Sequence, residues 1–316
     1  MANWTANDIP DQTGKVIVIT GANSGLGYET ALALARKNAH VVMTSRSIQK
    51  GEKARADILK QVPNATIDVM QLDLANLASV REFAQAFNSR YDRLDQLYNN
   101  AGVMAVPQSQ TADGFEMQFG TNHLGHFALT GLLLPKLLST PNSRVVSVSS
   151  GAHRTVSGIN FDDLMSEKSY SRYVAYGQSK LANILFANEL NRLLVANGSS
   201  TRSMAAHPGL SNTNLQSNTA DASGNVFERA LYSVLMPVMS QSQAMGALPQ
   251  LYAGTSPQAE GGKYYGPSFM SMRGYPKEEK PTDAALNERD AARLWAISAD
   301  LTGVTYDELQ PAMVAV

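Results

Sequence analysis

The chain has 316 residues, 44% of them hydrophobic and 17% charged, enough to bury one large core without help from a second domain. A formal net charge of -1 excludes a field strong enough to draw nucleic acid or an anionic membrane surface, so neither is an expected partner. The absence of cysteine excludes disulfides, thiolate metal sites and a cysteine nucleophile, leaving oxygen, imidazole, amine or a bound cofactor to carry any chemistry. Residues 1–13 hold no basic region followed by an apolar run, and Asp8 and Asp11 interrupt them. No secretory signal is therefore expected, and the expected location is cytoplasmic.

In chain order, β-branched runs at 15–20, 40–44, 66–72, 94–98, 144–149 and 201–206 read as strands, and 263–265 is a candidate seventh. Between them, apolar residues recur at helical spacing over 26–37, 49–61, 77–91, 115–138 and 174–196. The alternation predicts an α/β fold, a doubly wound parallel sheet of about seven strands in a single domain spanning 1–316. Right-handed crossovers place the functional crevice at the carboxyl ends of the strands. The stretch 214–281 is rich in Met, Tyr, Gly, Ser and Pro and reads as a C-terminal helical segment covering a substrate rather than another sheet unit. Phe227, Leu231, Tyr232, Leu235, Met236 and Met239 would form its apolar face, with burial between subunits as the alternative. Residues 230–259 carry no charge, but Pro237 and Pro249 break them as a bilayer span, so a buried or ligand-facing wall is expected.

Strand 15–20 runs straight into Thr20-Gly21-Ala22-Asn23-Ser24-Gly25-Leu26-Gly27 and then a helix, the context that a dinucleotide-binding turn requires. Gly21 suits the tight turn, Gly25 lets backbone amides approach a pyrophosphate, and Gly27 lets the helix pack on the sheet. Glycines that merely punctuate a loop are the alternative. Tyr176 and Lys180 stand at i and i+4, so on a helix they share one face. They form a workable acid/base pair if an ammonium lowers the phenol pKa, or simply a surface aromatic beside a solvated lysine. Residues 144–149 lead to a hydroxyl, Ser150, at the crevice mouth. His123 and His126 have metal-ligand chemistry, but no carboxylate or cysteine cluster completes a site, so no metal is expected.

Glycines at 21, 25 and 27 resemble the turn of the short-chain dehydrogenase/reductases, a Rossmann-fold family. The resemblance implies that Asn23, Ser24 and Leu26 join the glycines at the cofactor. It also makes Ser45 the position where an acidic residue would select NAD. Here Arg46 follows, and a guanidinium there can clamp a 2′-phosphate, which points to NADP. Asp73 and Leu74 resemble the adenine contact, with Asp73 as a helix cap for 77–91 the alternative. Asn100, Ala101 and Gly102 match the family's segment after the fourth strand. Pro208, Gly209 and Thr213 match the segment that caps the nicotinamide. The resemblance assigns Ser150 to the substrate oxygen, Tyr176 to the proton, Lys180 to the nicotinamide ribose and to tuning Tyr176, and Asn122 to ordering a water beside Lys180.

Within the family, stretches 20–27, 122–127, 166–183 and 207–209 look most like the retinol dehydrogenase group and its soluble bacterial relatives. This implies a hydrophobic aldehyde, ketone or alcohol as substrate, and leaves a homo-oligomer open. Three alternatives stand beside it. A light-dependent protochlorophyllide reductase shares Asn122-His123-Leu124-Gly125-His126-Phe127 but uses cysteine. A non-catalytic NADPH-binding regulator would have no reason to keep Ser150, Tyr176 and Lys180 together. A nucleotide-sugar epimerase or dehydratase spaces its glycine turn differently.

Overall fold

In the computed structural model of the chain, residues 3–211 and 240–309 are described. Val- and Ile-rich runs form the centre of a parallel sheet, where both faces are covered and β-branched side chains pack well. These strands are β1 (Val16–Ile19), β2 (His40–Ser45), β3 (Thr66–Gln71), β4 (Gln96–Asn99), β5 (Arg144–Val148) and β6 (Arg202–Ala206). Two more follow, β7 (Tyr264–Phe269) and β8 (Arg273–Glu278), and the order across the sheet is β3-β2-β1-β4-β5-β6-β7-β8. Ile17 of β1 pairs with Val41 on one side and Gln96 on the other, so the winding reverses between β1 and β4. A crevice opens there because the crossovers on either side lead away in opposite directions.

Helices α1 (Gly25–Ala35), α2 (Ile48–Gln61), α3 (Leu77–Arg90) and α7 (Arg172–Ala196) lie where helical spacing predicts them. The crossover between β4 and β5 comprises α4 (Met117–Phe119), a π turn over Gly120–Leu124, α5 (Gly125–Leu132) and α6 (Leu134–Ser139). Helices α8 (Gln243–Thr255) and α9 (Glu288–Thr302) complete the set among the described residues. Alternation along β1 divides the core. Ile17 and Ile19 pack with Leu34, Ile58 and Leu251 on one face, and Val18 packs with Phe83, Phe87, Phe127 and Leu190 on the other.

The structure departs from the sequence expectation in three places. The helix expected over 115–138 is interrupted, since the backbone widens at Gly120–Leu124 and Pro135, without an N–H, sits at the start of α6. The eighth strand, β8, is antiparallel to β7 and escapes strand patterning because it carries Gly274 and Pro276; an edge strand tolerates both. Most of the lid expected over 214–281 that falls among the described residues is a further sheet unit. Helix α8 buries Ala247, Leu248 and Leu251 against the core beside α1, while β7, at the candidate seventh strand 263–265, and β8 extend the sheet. The apolar residues 227–239 assigned to the lid lie outside the described residues. Among the described residues no helix is long and apolar enough to cross a membrane.

Candidate active site

At the end of β1, Thr20 ties the two strands that border the crevice. Its hydroxyl oxygen accepts from the backbone N–H of Asn100 (2.8 Å) and of Ala101 (2.9 Å), and the Asn100 side chain donates to the Thr20 carbonyl at 2.8 Å. The glycines divide their work as spacing predicts. Gly21 has φ +66, and a Cβ there would sit 2.9 Å from the Ala101 Cβ. A Cβ on Gly27 would come within 2.5 Å of the Gly21 carbonyl and 2.6 Å of Asn100 Nδ2. Gly25, with φ +60, faces open space with nothing within 4 Å, and it starts α1, whose N-terminal amides carry partial positive charge. This open, amide-lined cradle at a helix N-terminus fits the diphosphate of a dinucleotide.

Above it lies a cleft of about 850 Å³ lined by Gly21, Asn23, Ser24, Gly25, Leu26 and Gly27 from the turn, Arg46 after β2, and Asp73 and Leu74 after β3. Asn100, Ala101 and Gly102 after β4 close its inner side. Asp73 is not the cap of α3: Asn76 caps it, accepting from Ala78 N at 2.9 Å, while Asp73 accepts from Ala75 N at 3.0 Å in a turn of its own. Ser45 is buried, whereas Arg46 is exposed at the rim with Lys50 and Lys53, which also line the cleft. Those two lysines are additions to the residues singled out by sequence. The signal was present, since positions i+4 and i+7 from Arg46 fall in the first turns of α2.

The inner end of the cleft meets the second group of residues. A Cβ on Gly102 would lie 2.9 Å from Asn122 Oδ1 and 3.5 Å from Lys180 Nζ, so these three positions converge. Asn122, in the π turn, is clamped: its Oδ1 accepts from Val103 N at 2.8 Å, and its Nδ2 donates to the Val103 carbonyl and to Ser179 Oγ, both at 2.9 Å. On α7, Tyr176 and Lys180 share a face, with Nζ 5.6 Å from the Tyr176 ring centre. Ser150 follows β5 and begins a short 3₁₀ helix, Gly151–Thr155, that packs on α7. Its Oγ accepts from Ala152 N at 3.2 Å, and its hydroxyl hydrogen-bonds Tyr176. Lys180 Nζ donates to the Val148 carbonyl at 3.1 Å.

Loss of water dominates the electrostatics. It pushes the Tyr176 phenol up to about 12, against a lowering influence of the Ser150 hydrogen bond, and brings Lys180 down to about 8. The sequence predicts a phenol lowered by the Lys180 ammonium together with a cationic nicotinamide. Here desolvation is the largest influence on the phenol, and the neighbouring Lys180 is itself buried and stripped of part of its preference for charge.

Pro208 and Gly209 follow β6 in a braced turn beside the β7–β8 hairpin. Gly209 has φ +65 and donates to His207 Nδ1 at 3.3 Å, Leu210 N donates to the Met272 carbonyl at 2.7 Å, and the Gln241 side chain donates to the Pro208 carbonyl at 2.8 Å. His207 in turn meets buried Glu279 at 3.2 Å. Neither Pro208 nor Gly209 lines the cleft, and Thr213 lies outside the described residues. Sequence reading missed the bracing residues because Gln241 and Glu279 are distant in the chain from the turn they hold.

Comparison with known proteins gives the family of the chain. Residues 15–224 match the family described as short chain dehydrogenase. The chain is 41% identical over 295 residues to Retinol dehydrogenase 13 of Homo sapiens, covering 92% of this chain and 85% of that protein. It is 39% identical over 296 residues to Retinol dehydrogenase 12 of Mus musculus, covering 93% and 88%. A crystal structure of an uncharacterized protein from Mycobacterium Paratuberculosis superposes with a TM-score of 0.79 at 44% identity, covering 96% of this chain and 99% of that one. At 22% identity, a short chain dehydrogenase from Shigella flexneri 2a str. 301 complexed with NADP shares the fold, with a TM-score of 0.61 and coverage of 80% and 96%. The chain therefore belongs to the short-chain dehydrogenase family, in its retinol dehydrogenase-like group, and is an oxidoreductase.

Proposed function

We propose that the chain transfers hydride between NADP(H) and a hydrophobic aldehyde or ketone, or the corresponding alcohol, with Tyr176 exchanging the proton. The observation that carries this reading is the hydrogen bond between the Ser150 and Tyr176 side chains, with the Lys180 ammonium 5.6 Å from the Tyr176 ring centre and beside Gly102, which lines the cleft. The relatives named for retinol support an apolar substrate class.

Bound NADPH would supply the hydride. The turn from Gly21 to Gly27 and the start of α1 would hold its diphosphate. Asp73 and Leu74 would border the adenine, and Arg46 would pair with the 2′-phosphate, with Lys50 and Lys53 adding positive charge at the same rim. Asn100, Ala101 and Gly102 would line the path to the nicotinamide end.

For the substrate, Ser150 and Tyr176 would both donate to the carbonyl oxygen, and Tyr176 would release its proton as negative charge develops there. A phenol pushed up to about 12 is fully protonated at neutral pH, the form needed for reduction. Lys180 spends one hydrogen on Val148 O and keeps two for a ribose, its charge favouring the phenolate that remains. Asn122 would fix a water beside it through its carbonyl.

The test is a panel of aliphatic, aromatic and retinoid aldehydes and simple ketones, assayed with NADPH and with NADH by nicotinamide absorbance. Reduction of hydrophobic members with NADPH is expected. Tight NADPH binding without turnover on any member would overturn the substrate class, and equal use of NADH would overturn the cofactor preference.

A further inference from the structure

His126 is buried, 2% exposed, on the first turn of α5, and nothing in the reaction as derived uses it. Both of its ring nitrogens are committed. Nδ1 lies 2.9 Å from the backbone carbonyl of Asn122, and Nε2 lies 2.9 Å from the Thr20 hydroxyl. The partners decide the tautomer. A carbonyl only accepts, so Nδ1 carries the hydrogen; Nε2 then has a lone pair, and Thr20 must donate to it. The Thr20 oxygen can do so because its other contacts are acceptances from Asn100 N and Ala101 N; the alternative acceptor, the Tyr98 carbonyl, is farther at 3.2 Å. A single chain of hydrogen bonds thus runs from the Asn122 carbonyl, through the imidazole and Thr20, to the backbone at Asn100 and Ala101.

We propose that His126 is a positioning residue that aims the Asn122 carbonyl and locks it to the cofactor-side strand ends, as the neutral imidazole with hydrogen on Nδ1. The proposal deepens the assignment of Asn122 to the acid/base group and rests on it. Two features give it physical force. The π turn Gly120–Leu124 disturbs the regular helical ladder at this point, and the imidazole supplies a donor to the Asn122 oxygen. The ring also stays neutral, since burial and the nearby Lys180 charge hold its pKa down at about 4. A neutral imidazole beside Lys180 adds no repulsion to the ammonium. It joins the two halves of the site, which otherwise lie on opposite sides of the winding reversal.

Two measurements test this. In ¹⁵N-histidine NMR of the whole protein, the imidazole that disappears in His126→Asn is expected to show a protonated Nδ1 and a bare Nε2, with no titration between about pH 5 and 8. A proton on Nε2, or titration in that window, overturns the proposal. The second measurement separates the two bonds. His126→Asn places an amide donor near the Nδ1 position and gives up Thr20, whereas His126→Gln reaches toward Thr20 and gives up Asn122. At saturating NADPH, His126→Gln is expected to lower kcat about tenfold more than His126→Asn, and His126→Asn to weaken NADPH binding more than His126→Gln. Equal effects on both quantities would show a merely structural residue. The NMR result needs neither turnover nor a known substrate, so failure of the proposed activity and failure of this assignment are told apart.

Discussion

Tyr176 carries the sharpest residue-scale consequence. If it is the proton donor, Tyr176→Phe is expected to lower turnover about a thousandfold while leaving NADPH affinity within a few-fold, measured by steady-state kinetics and by quenching of NADPH fluorescence. The direction of its pKa shift adds a second expectation. A phenol raised to about 12 by burial is protonated at neutral pH, so reduction has its acid at hand while oxidation waits for the scarce phenolate. Alcohol oxidation should therefore rise with pH from neutrality, carbonyl reduction should not, and Tyr176→Phe should remove the difference. At the other end of the cleft, Arg46→Asp replaces a guanidinium by a carboxylate at the rim also lined by Lys50 and Lys53. It is expected to weaken NADPH about tenfold to a hundredfold more than NADH in a binding titration; an unchanged ratio would leave the 2′-phosphate without its partner.

Among the elements, the contact between α7 and the 3₁₀ helix Gly151–Thr155 sets the distance between Ser150 and Tyr176. The two meet at Gly177, where a Cβ would lie 2.7 Å from Thr155 Oγ1 and 3.0 Å from the Ala152 carbonyl. Gly177→Val must push the helix that carries Ser150 away from the helix that carries Tyr176. The expected result is a loss of about 1–3 kcal/mol in urea unfolding and a fall in turnover larger than any change in NADPH affinity. Full turnover in a correctly folded Gly177→Val protein would show that the spacing of these elements does not govern the chemistry. The interrupted crossover matters at this scale too. Its π turn sets Asn122 facing Val103 and Ser179, a placement that helical spacing alone does not contain.

For the whole molecule, buried histidines tie stability to pH. His123 is held at about 3, and His126 and His153 at about 4, each chiefly by burial. All three lie below the ordinary value near 6.5, so the unfolded chain binds protons that the folded one refuses. Stability is expected to be full above about pH 6.5 and to fall as pH drops toward 4, by about 1.4 kcal/mol per histidine per pH unit. Glu279, whose pKa is lowered by its partner His207 against the opposing effect of burial, contributes in the same direction. Urea unfolding at pH 5 and 7 checks this, and equal stability would place the imidazoles in contact with water. Much of the molecule was legible without coordinates: seven of the strands, the glycine turn, the Arg46 rim and the Tyr176–Lys180 face all rest on local periodicity or spacing, which steric rules translate directly into structure. The choice between Asp73 as helix cap or cleft residue, the unbroken 115–138 helix and the described part of the 214–281 segment were beyond the sequence for one reason. Which polar group caps a helix, where a helix yields and whether a Gly- and Pro-bearing segment joins a sheet edge depend on neighbours remote in sequence. Only the tertiary structure could bring Gly102 against Lys180, clamp Asn122 between Val103 and Ser179, and set His126 between Asn122 and Thr20, because each contact joins residues that no local pattern relates.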